Sequence, residues 1–258
     1  MGIDIRAEAA KYYDFQKIPY NDIPFYIERV PSPYASILEL GCGTGRVLVP
    51  LANYCDFIHG LEISEAMLNI CQRKLEKENI PRSKVRVEVA DITDFRLGRK
   101  FDFIIAPYRV FQNLETDEQV DGFFKCIREH LAADGSCILN VFKPLRSREA
   151  LIKEWTGCEG ENLYSDIVVE GKRVTAHERR LGIDKEKCVI YPALIYRLYD
   201  GDVLEDEQVL EIAMRCYWPD EFEKLIAEHG FEIINRWGGY ENELYGQGDE
   251  LVIQFRER

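Results

Sequence analysis

The stretch ILELGCGTG, residues 37–45, places three glycines directly after a short apolar run. An apolar run closed by glycines is typical of a buried strand that turns sharply into a helix, because glycine lets the backbone pass close to a ligand. The NAD-binding fingerprint spaces its third glycine one position later than Gly45, and Arg46 occupies that position. The stretch therefore predicts a nucleotide-binding turn that differs from the NAD type.

The segments that follow this turn alternate between strand and helix patterns. Ser64 and Thr116 are placed to cap amphipathic helices, and the second of these helices is predicted to run to Leu131 and end before Gly135. Alternation of this kind favours a parallel sheet with helices on both faces, so residues 35–143 are predicted to form a doubly wound Rossmann-like core. The strand candidates are residues 37–40, 57–61, 85–89, 101–106 and 136–142.

The pattern changes to successive strands in residues 144–217. The dipeptides Glu170-Gly171, Asp184-Lys185 and Asp200-Gly201 mark hairpin turns, and alternation continues from Val209 to Tyr217. We therefore predict an inserted antiparallel β meander that forms a lid or acceptor subdomain. Residues 1–34 are expected to form an N-terminal helical cap, and residues 218–258 to add a helix and two strands to the core sheet.

Composition and charge exclude several classes of function. The net charge of −13 and the pI of about 4.9 would repel a phosphate backbone, so no nucleic-acid partner is expected. No apolar stretch is long enough for a membrane span, and the N-terminus has no signal-peptide core. The eight cysteines form no CxxC pair and the four histidines are scattered, so we expect reduced thiols, no metal site and a cytoplasmic location.

An acidic residue lies near the end of each of the first three strand candidates. Glu39 precedes the glycines, Glu62 follows 21 residues after Gly41, and Asp91 ends the third strand region. The carboxyl ends of parallel strands meet at one edge of a sheet, so these carboxylates are expected to converge there. They suit a ligand ammonium, a ribose diol and an adenine amino group, which describes a nucleoside with a positively charged tail.

Four ordered motifs carry a resemblance to a known family. ELGCGTG, GLEIS, VADIT and FDFIIAPYRVFQNL resemble the signatures of class I S-adenosylmethionine-dependent methyltransferases of the small-molecule type, over residues 35–143. Residues 218–256 are similar to the family's terminal strands. The resemblance implies an α/β fold: a doubly wound, mostly parallel seven-stranded sheet with an antiparallel terminal strand pair, here with an inserted antiparallel β meander.

The resemblance also implies how S-adenosylmethionine binds. Glu39 and the glycine turn would hold the methionine part, and Glu62 would hold the ribose, although Asp is more usual at that position. Asp91 would bind the adenine amino group, and the residues after the fourth strand would line the sulfonium end. The cofactor-binding residues implied are Glu39, Gly41, Cys42, Gly43, Gly45, Glu62, Ile63, Met67, Ala90, Asp91, Ile92, Ala106 and Pro107.

The implied reaction is in-line displacement of the methyl group onto N or O of a small-molecule acceptor, with S-adenosylhomocysteine as product. Positioning and desolvation accelerate such a transfer, so the resemblance assigns no catalytic residue. The acceptor is expected beyond the carboxyl ends of the strands, where three regions could cover it: the N-terminal segment, the stretch from Tyr108 to Asn113, and the meander. The candidate acceptor-binding residues are Tyr12, Tyr13, Arg109, Asn113, His177 and Tyr196.

Three alternatives remain open on the sequence. The chain is either an enzyme or a protein that binds S-adenosylmethionine without turnover, with the meander as an interaction or homodimer surface. A protein acceptor remains an alternative to a small molecule. An NAD-dependent oxidoreductase would share the sheet and the ribose acid, but Arg46 and Asp91 argue against it.

Overall fold

The computed structural model describes residues 4–15, 21–156, 160–241 and 243–258. Parts of the predicted N-terminal cap, and Cys158, lie outside these ranges. The helices are α1 (Ala10–Tyr13), α2 (Ile23–Glu28), α3 (Leu48–Leu51), α4 (Glu65–Lys77), α5 (Asp117–His130), α6 (Arg148–Trp155) and α7 (Pro219–Glu228), with a 3₁₀ turn at Val110–Asn113. No helix in the described ranges is long and apolar enough to cross a bilayer.

Seven strands form the central sheet, in the order β11-β12-β5-β4-β1-β2-β3. The pairs β4–β5, β1–β4, β1–β2 and β2–β3 are parallel, and β12 runs antiparallel to both β5 and β11. This arrangement confirms the predicted fold class. The strands are β1 (Ser36–Leu40), β2 (Phe57–Glu62), β3 (Val85–Val89), β4 (Phe101–Ala106), β5 (Leu131–Phe142), β11 (Phe231–Trp237) and β12 (Glu250–Glu257).

Helices cover both faces of this sheet because its central strands are apolar on both sides. On β1, Leu38 packs into one apolar cluster and Ile37 into another, as expected for side chains that alternate across a strand. Helices α5 and α7 contribute to the first cluster, whereas α2, α3 and α4 contribute to the second. The order in which successive strands are added to the sheet reverses between β1 and β4, and open α/β sheets bind ligands at the carboxyl side of this point.

The two predicted helix caps are present, but α5 ends earlier than predicted. Ser64 accepts a hydrogen bond from the Met67 amide, and Thr116 forms a capping box at the start of α5. Leu131, predicted as the last apolar residue of that helix, instead pairs with Phe101 in the sheet. The Leu131 amide still donates to the Ile127 carbonyl at the end of α5, but the Leu131 backbone is already extended, so β5 starts five residues before the predicted Ser136.

A second antiparallel sheet contains β6 (Glu161–Val169), β7 (Lys172–Asp184), β8 (Val189–Asp200), β9 (Val203–Glu211) and β10 (Met214–Arg215). The hairpins turn at the three predicted dipeptides. The strand predicted to continue from Val209 to Tyr217 is interrupted at residues 212–213, opposite Pro192 of β8. Pro192 has no N–H to donate to the Ile212 carbonyl, although the Ile212 amide still donates to the Pro192 carbonyl at 3.1 Å. The next carbonyl, that of Ala213, accepts from the Asn113 side chain at 2.9 Å.

Helix α6 connects the two sheets and is not predicted by the sequence analysis. Its Leu151 and Trp155 pack against Cys188, Ile190 and Cys216 at one end of the second sheet. The core sheet and the meander therefore do not share one continuous core, and they meet through α6, the 3₁₀ turn and the N-terminal segment. The domain boundaries expected from the sequence remain a prediction.

The turn after β1 requires glycine for two separate reasons. Gly41 has a φ of +69°, and a Cβ there would lie 2.4 Å from Cγ2 of Val110. Gly43 also has a positive φ, of +55°, but its nearest neighbour would be the Met67 sulfur at 3.9 Å. Conformation alone therefore restricts Gly43, whereas conformation and packing together restrict Gly41.

Gly41→Ala is expected to lower the free energy of unfolding by about 3 kcal/mol, because left-handed strain and overpacking add. Gly43→Ala should cost only about 1 kcal/mol, because only the strain applies. Urea unfolding of both variants measures the difference. Adding Val110→Ala should recover part of the loss in Gly41→Ala and none in Gly43→Ala. Equal losses in the two single variants would contradict this account of the turn.

Candidate functional site

Glu39 is a buried carboxylate at the end of β1. Glu39 is 2% exposed, and its Oε2 atom has no hydrogen-bond partner among the described residues. Burial raises the pKa of Glu39 well above its ordinary value. A buried polar atom without a partner is destabilising, so this position suits a cationic group that would pair with the carboxylate.

Glu62 orients the turn after β1 and the start of α4 at the same time. Its Oε2 accepts a hydrogen bond of 3.0 Å from the Gly43 amide, and its Oε1 accepts one of 2.9 Å from the Ser64 amide. A carboxylate has about four acceptor positions, so each oxygen retains one for a ligand. Two free acceptor positions in one plane fit a vicinal diol, as the ribose assignment requires.

Asp91 follows β3 and is exposed. Its Oδ1 accepts from both the Thr93 amide, at 2.8 Å, and the Thr93 hydroxyl, at 2.7 Å, which fixes the turn. Its Oδ2 has no hydrogen-bond partner among the described residues, so it is available to an exocyclic amine. Ile63 is 57% exposed, and Ala90 and Ile92 are half-buried, so apolar surface lies next to these acids.

The remaining predicted cofactor residues are backbone or packing positions. The Cys42 amide donates to the Leu61 carbonyl at 2.9 Å, and Gly45 takes a φ of +80° against Cys71. Ala106 and Pro107 are buried at the end of β4. The next two residues, Tyr108 and Arg109, both have positive φ, a strained conformation that clusters at functional sites.

Residues 4–15, the N-terminal segment, lie across the glycine turn. A ring carbon of Tyr13 lies 4.0 Å from the position that a Gly43 Cβ would take, and the Tyr13 ring packs edge-on against Tyr108. Asp14 accepts from the Thr44 hydroxyl at 2.6 Å and pairs with Lys74 at 2.7 Å. The segment is therefore attached to the turn and to α4.

The same segment is also attached to the meander. The Tyr12 ring stacks on Tyr196 with centroids 5.8 Å apart, and the Tyr12 hydroxyl donates to Asp206. Lys11 pairs with Asp206 at 2.7 Å, and these hydrogen bonds lower the pKa of Asp206 to about 2. The N-terminal segment thus bridges the two sheets over the carboxyl ends of β1 and β4.

Tyrosines from three parts of the chain meet beneath this bridge. Tyr13 and Tyr196, both predicted as acceptor residues, lie near Tyr108, which begins the predicted stretch 108–113, and near Tyr164, which was not predicted. The Tyr196 hydroxyl bonds to that of Tyr164, and burial raises the pKa of Tyr196 further. Tyr164 is the extra residue where the β6–β7 register shifts, and no pattern in the sequence marks that shift.

Arg109 and Asn113, two further predicted acceptor residues, make structural contacts. The Arg109 guanidinium pairs with Glu250, which is 2% exposed, and its amide donates to Asn140. Asn113 accepts from Arg6 at 3.2 Å and donates to Ala213 at 2.9 Å. Both side chains therefore connect elements of the fold, and we leave them out of the acceptor site proposed below.

His177, the last predicted acceptor residue, lies on the other face of the meander. It is paired with Ile195, next to the Ala176–Tyr196 pair, and side chains alternate between faces along a strand. The His177 Nδ1 atom is 3.4 Å from the Arg197 guanidinium, which pairs with Glu161 and Glu207. The structure therefore does not bring His177 together with the tyrosines.

Arg46, at the position of the missing third glycine, makes a specific contact of its own. Its two terminal nitrogens bind the two oxygens of Asp22 at 2.5 and 2.8 Å, and Asp22 is fully buried at the start of α2. The guanidinium also lies 5.2 Å from the centre of the Tyr108 ring. Arg46 thus attaches α2 and the strained end of β4 to the turn after β1.

Comparison with known proteins agrees with this geometry. The family described as a methyltransferase domain matches residues 37–135, which hold the glycine turn, Glu62 and Asp91. Among solved structures, the CcbJ methyltransferase from Streptomyces caelestis has the same fold, with a TM-score of 0.78, 20% identity and 98% of each chain covered. Over residues 37–135 the chain is therefore similar to the methyltransferase-domain family, and its fold is that of S-adenosylmethionine-dependent methyltransferases.

Two relatives within this family extend the comparison. A dTDP-3-amino-3,4,6-trideoxy-alpha-D-glucopyranose N,N-dimethyltransferase from Streptomyces venezuelae is 28% identical over 54% of this chain and 51% of that protein. A putative methyltransferase from a Geobacillus species is 27% identical over 95% of this chain and 96% of that protein. The match spans about half the length of the amino-sugar enzyme, so that similarity does not extend to its whole length.

Glu39→Gln tests the buried carboxylate. A carboxyl whose pKa is raised in the fold holds a proton that the unfolded chain has released, so the free energy of unfolding falls as pH rises above about 4.3 toward the raised pKa. In the variant, the free energy of unfolding should fall less between pH 5 and 8 than in the unaltered protein, as measured by urea unfolding. It should also bind S-adenosylmethionine about 10- to 100-fold more weakly, because a charge-assisted bond is lost. Unchanged affinity would contradict the role of Glu39.

Asp206→Asn tests the attachment of the N-terminal segment to the meander. Loss of the charged contacts with Lys11 and Tyr12 should raise hydrogen exchange in residues 10–15 several-fold at pH 7, with the core sheet still protected. Because the pKa of Asp206 is lowered in the fold, the contribution of its carboxylate is present above about pH 4 and is lost as pH falls toward 2. Asp202→Asn, an exposed change in the adjacent turn, is the control and should alter neither.

Proposed function

We propose that this protein transfers the methyl group of S-adenosylmethionine to a nitrogen or oxygen of a small-molecule acceptor, with S-adenosylhomocysteine as product. The observation that carries the proposal is the set of three acids around the glycine turn. Glu39 has an unsatisfied buried oxygen, Glu62 has two remaining acceptor positions, and Asp91 has a free oxygen. This set of acceptors fits the donors of an ammonium, a ribose diol and an adenine amine.

Each part of the site has a proposed task. Glu39 pairs with the ammonium of the methionine tail, Glu62 accepts from the ribose hydroxyls, and Asp91 accepts from the adenine amine. Tyr13 and the rest of the N-terminal segment exclude water, which strengthens these charged contacts. When bound, S-adenosylmethionine supplies a methyl group on a sulfonium that is a good leaving group, so the chain itself has to position and desolvate.

The proposed acceptor is a small molecule of the amino-sugar type. One relative is named as an N,N-dimethyltransferase of a dTDP-amino sugar, which supports this class. The tyrosines under the N-terminal segment offer hydroxyls and aromatic faces suited to a compact polar molecule. The free thiols of the seven described cysteines support a cytosolic location, and a homodimer through the meander remains part of the proposal.

The direct test is methyl transfer to a panel of acceptors. The protein is incubated with S-adenosylmethionine and with dTDP-amino sugars, simple amines, their hydroxyl counterparts and a peptide mixture, and release of S-adenosylhomocysteine is measured. Release with a small molecule supports the proposal. Release only with peptides would identify a protein methyltransferase, and binding without any release would leave a non-catalytic cofactor-binding protein; either result would overturn it.

Variants of two acids locate the cofactor. Glu62→Ala and Asp91→Ala should each weaken binding of S-adenosylhomocysteine by about 10-fold or more, because each removes hydrogen bonds to a charged acceptor. Calorimetry measures the affinity, and circular dichroism checks the fold. The matched control is Asp94→Ala, an exposed acid three residues from Asp91, which should bind as the unaltered protein does. Unchanged affinity in both site variants would contradict the assignment of Glu62 and Asp91 to the cofactor.

A further inference from the structure

Glu178 lies on the face of the meander that is turned toward the N-terminal segment. It is paired with Leu194 across β7 and β8, two positions from the Ala176–Tyr196 pair. Directly opposed residues share a face and every second residue returns to it, so Glu178 lies on the same face as Tyr196. Tyr196 stacks on Tyr12 on this face and Leu194 packs against the same apolar cluster, which places Glu178 at the edge of the site described above.

Glu178 has no partner within the described ranges, neither a hydrogen bond nor an ion pair. Three other acids of the meander have a cation: Asp166 pairs with Arg173, Glu205 with Lys172, and Asp206 with Lys11. Glu178 is half-buried, so its carboxylate has lost part of its contact with water without gaining a cation. A carboxylate in this state binds an incoming cation more favourably than a fully solvated one does.

Tyr164 connects Glu178 to the cofactor end of the site. Its hydroxyl bonds to that of Tyr196, and it is close enough to Tyr108 and Glu178 to be influenced by both. Burial, together with these two neighbours, raises the pKa of Tyr164 to about 12, so its hydroxyl stays protonated at neutral pH. The residue is still 39% exposed, which leaves it accessible to a ligand.

Helix α6 limits the site beyond Glu178. Arg180, the next residue on this face of β7, pairs with Glu154 at 2.8 Å and lies 5.2 Å from the centre of the Trp155 ring. The Arg180 side chain therefore contacts α6. Glu178 is the charged residue that lies between Arg180 and the tyrosines along this face. The wall therefore runs from Tyr108 past Tyr164 to Glu178, and its one unpaired charge is negative.

We propose that Glu178 binds the acceptor as a cation, with Tyr164 and Tyr196 as neighbouring hydrogen-bond groups, so that the acceptor class is a small-molecule amine that is protonated in water. The bound ammonium releases one proton to water before its nitrogen attacks the methyl group, because only the neutral amine has a free electron pair, and S-adenosylhomocysteine then leaves. The inference rests on the proposed methyl transfer and narrows it from nitrogen or oxygen to nitrogen. A neutral hydroxyl acceptor gains little from an unpaired carboxylate, whereas an ammonium forms a charge-assisted hydrogen bond with it. Glu178 thus acts in acceptor selection, away from the cofactor acids.

The test compares Glu178→Gln with Glu211→Gln. Glu211 is exposed on β9, and its pair with Ala193 places it on the opposite face of the same sheet, so it is a matched control. The probes are dTDP-3-amino-3,4,6-trideoxy-α-D-glucopyranose, a set of simple primary amines, and the hydroxyl counterpart of each. KM and kcat are measured with the amine that the unaltered protein methylates best.

Glu178→Gln should raise the KM for that amine at least 10-fold, change kcat less than KM, and leave the affinity for S-adenosylhomocysteine unchanged. Glu178→Asp, which keeps the charge, should retain the preference for amines over hydroxyls even if its stability is reduced. Glu211→Gln should match the unaltered protein. The affinity for S-adenosylhomocysteine also reports whether each variant is folded.

The outcomes separate this inference from the proposed function. Methyl transfer with hydroxyl acceptors preferred, or a KM for the amine that is equal in Glu178→Gln and Glu211→Gln, would overturn the role of Glu178 while methyl transfer itself stands. Failure of the unaltered protein to bind S-adenosylhomocysteine, or to methylate any probe, would instead overturn the proposed function and this inference with it.

Discussion

The hydrogen bond from the Gly43 amide to Glu62 is the contact on which the rest of the site depends. It joins the turn after β1 to the end of β2, and the other oxygen of the same carboxylate fixes the start of α4 through Ser64. One side chain therefore sets the positions of a turn, a strand end and a helix. Gly41 has no Cβ, so the turn can pack closely against Val110. The packing of the apolar core and the proposed cofactor-binding site therefore depend on the same few atoms.

Two buried carboxylates at this edge of the sheet, those of Asp22 and Glu39, differ in whether a cation is paired with them. The buried Asp22 carboxylate is matched by the two nitrogens of Arg46, so it stabilises the link between α2 and the turn. Glu39, near the end of β1, has no such partner for its Oε2 atom, and burial raises its pKa. A chain with a net charge of −13 thus keeps one acid unmatched where the family binds the positive tail of its cofactor.

The fold could be predicted from the sequence because it depends on local patterns, and the assignment of the three acids to the cofactor, which stays a prediction, uses the same patterns. Strand periodicity, the glycines and the acids at strand ends are all read within a few residues, and β1, β2 and β4 form where expected. The acceptor side depends on contacts across long separations. Arg109 pairs with Glu250, 141 residues away, and a register shift sets the position of Tyr164. Face assignment in a meander needs the register itself, which is why His177 was selected and Glu178 was not.

Thermal unfolding with two competing ligands tests the central claim most directly. S-adenosylhomocysteine at saturating concentration should raise the melting temperature, because it binds the folded state alone, and NAD should not. A tenfold excess over Kd contributes about 1.4 kcal/mol, a shift of a few degrees for a chain of this size. Protection by NAD, or by neither ligand, would contradict the assignment of Glu39, Glu62 and Asp91 to S-adenosylmethionine.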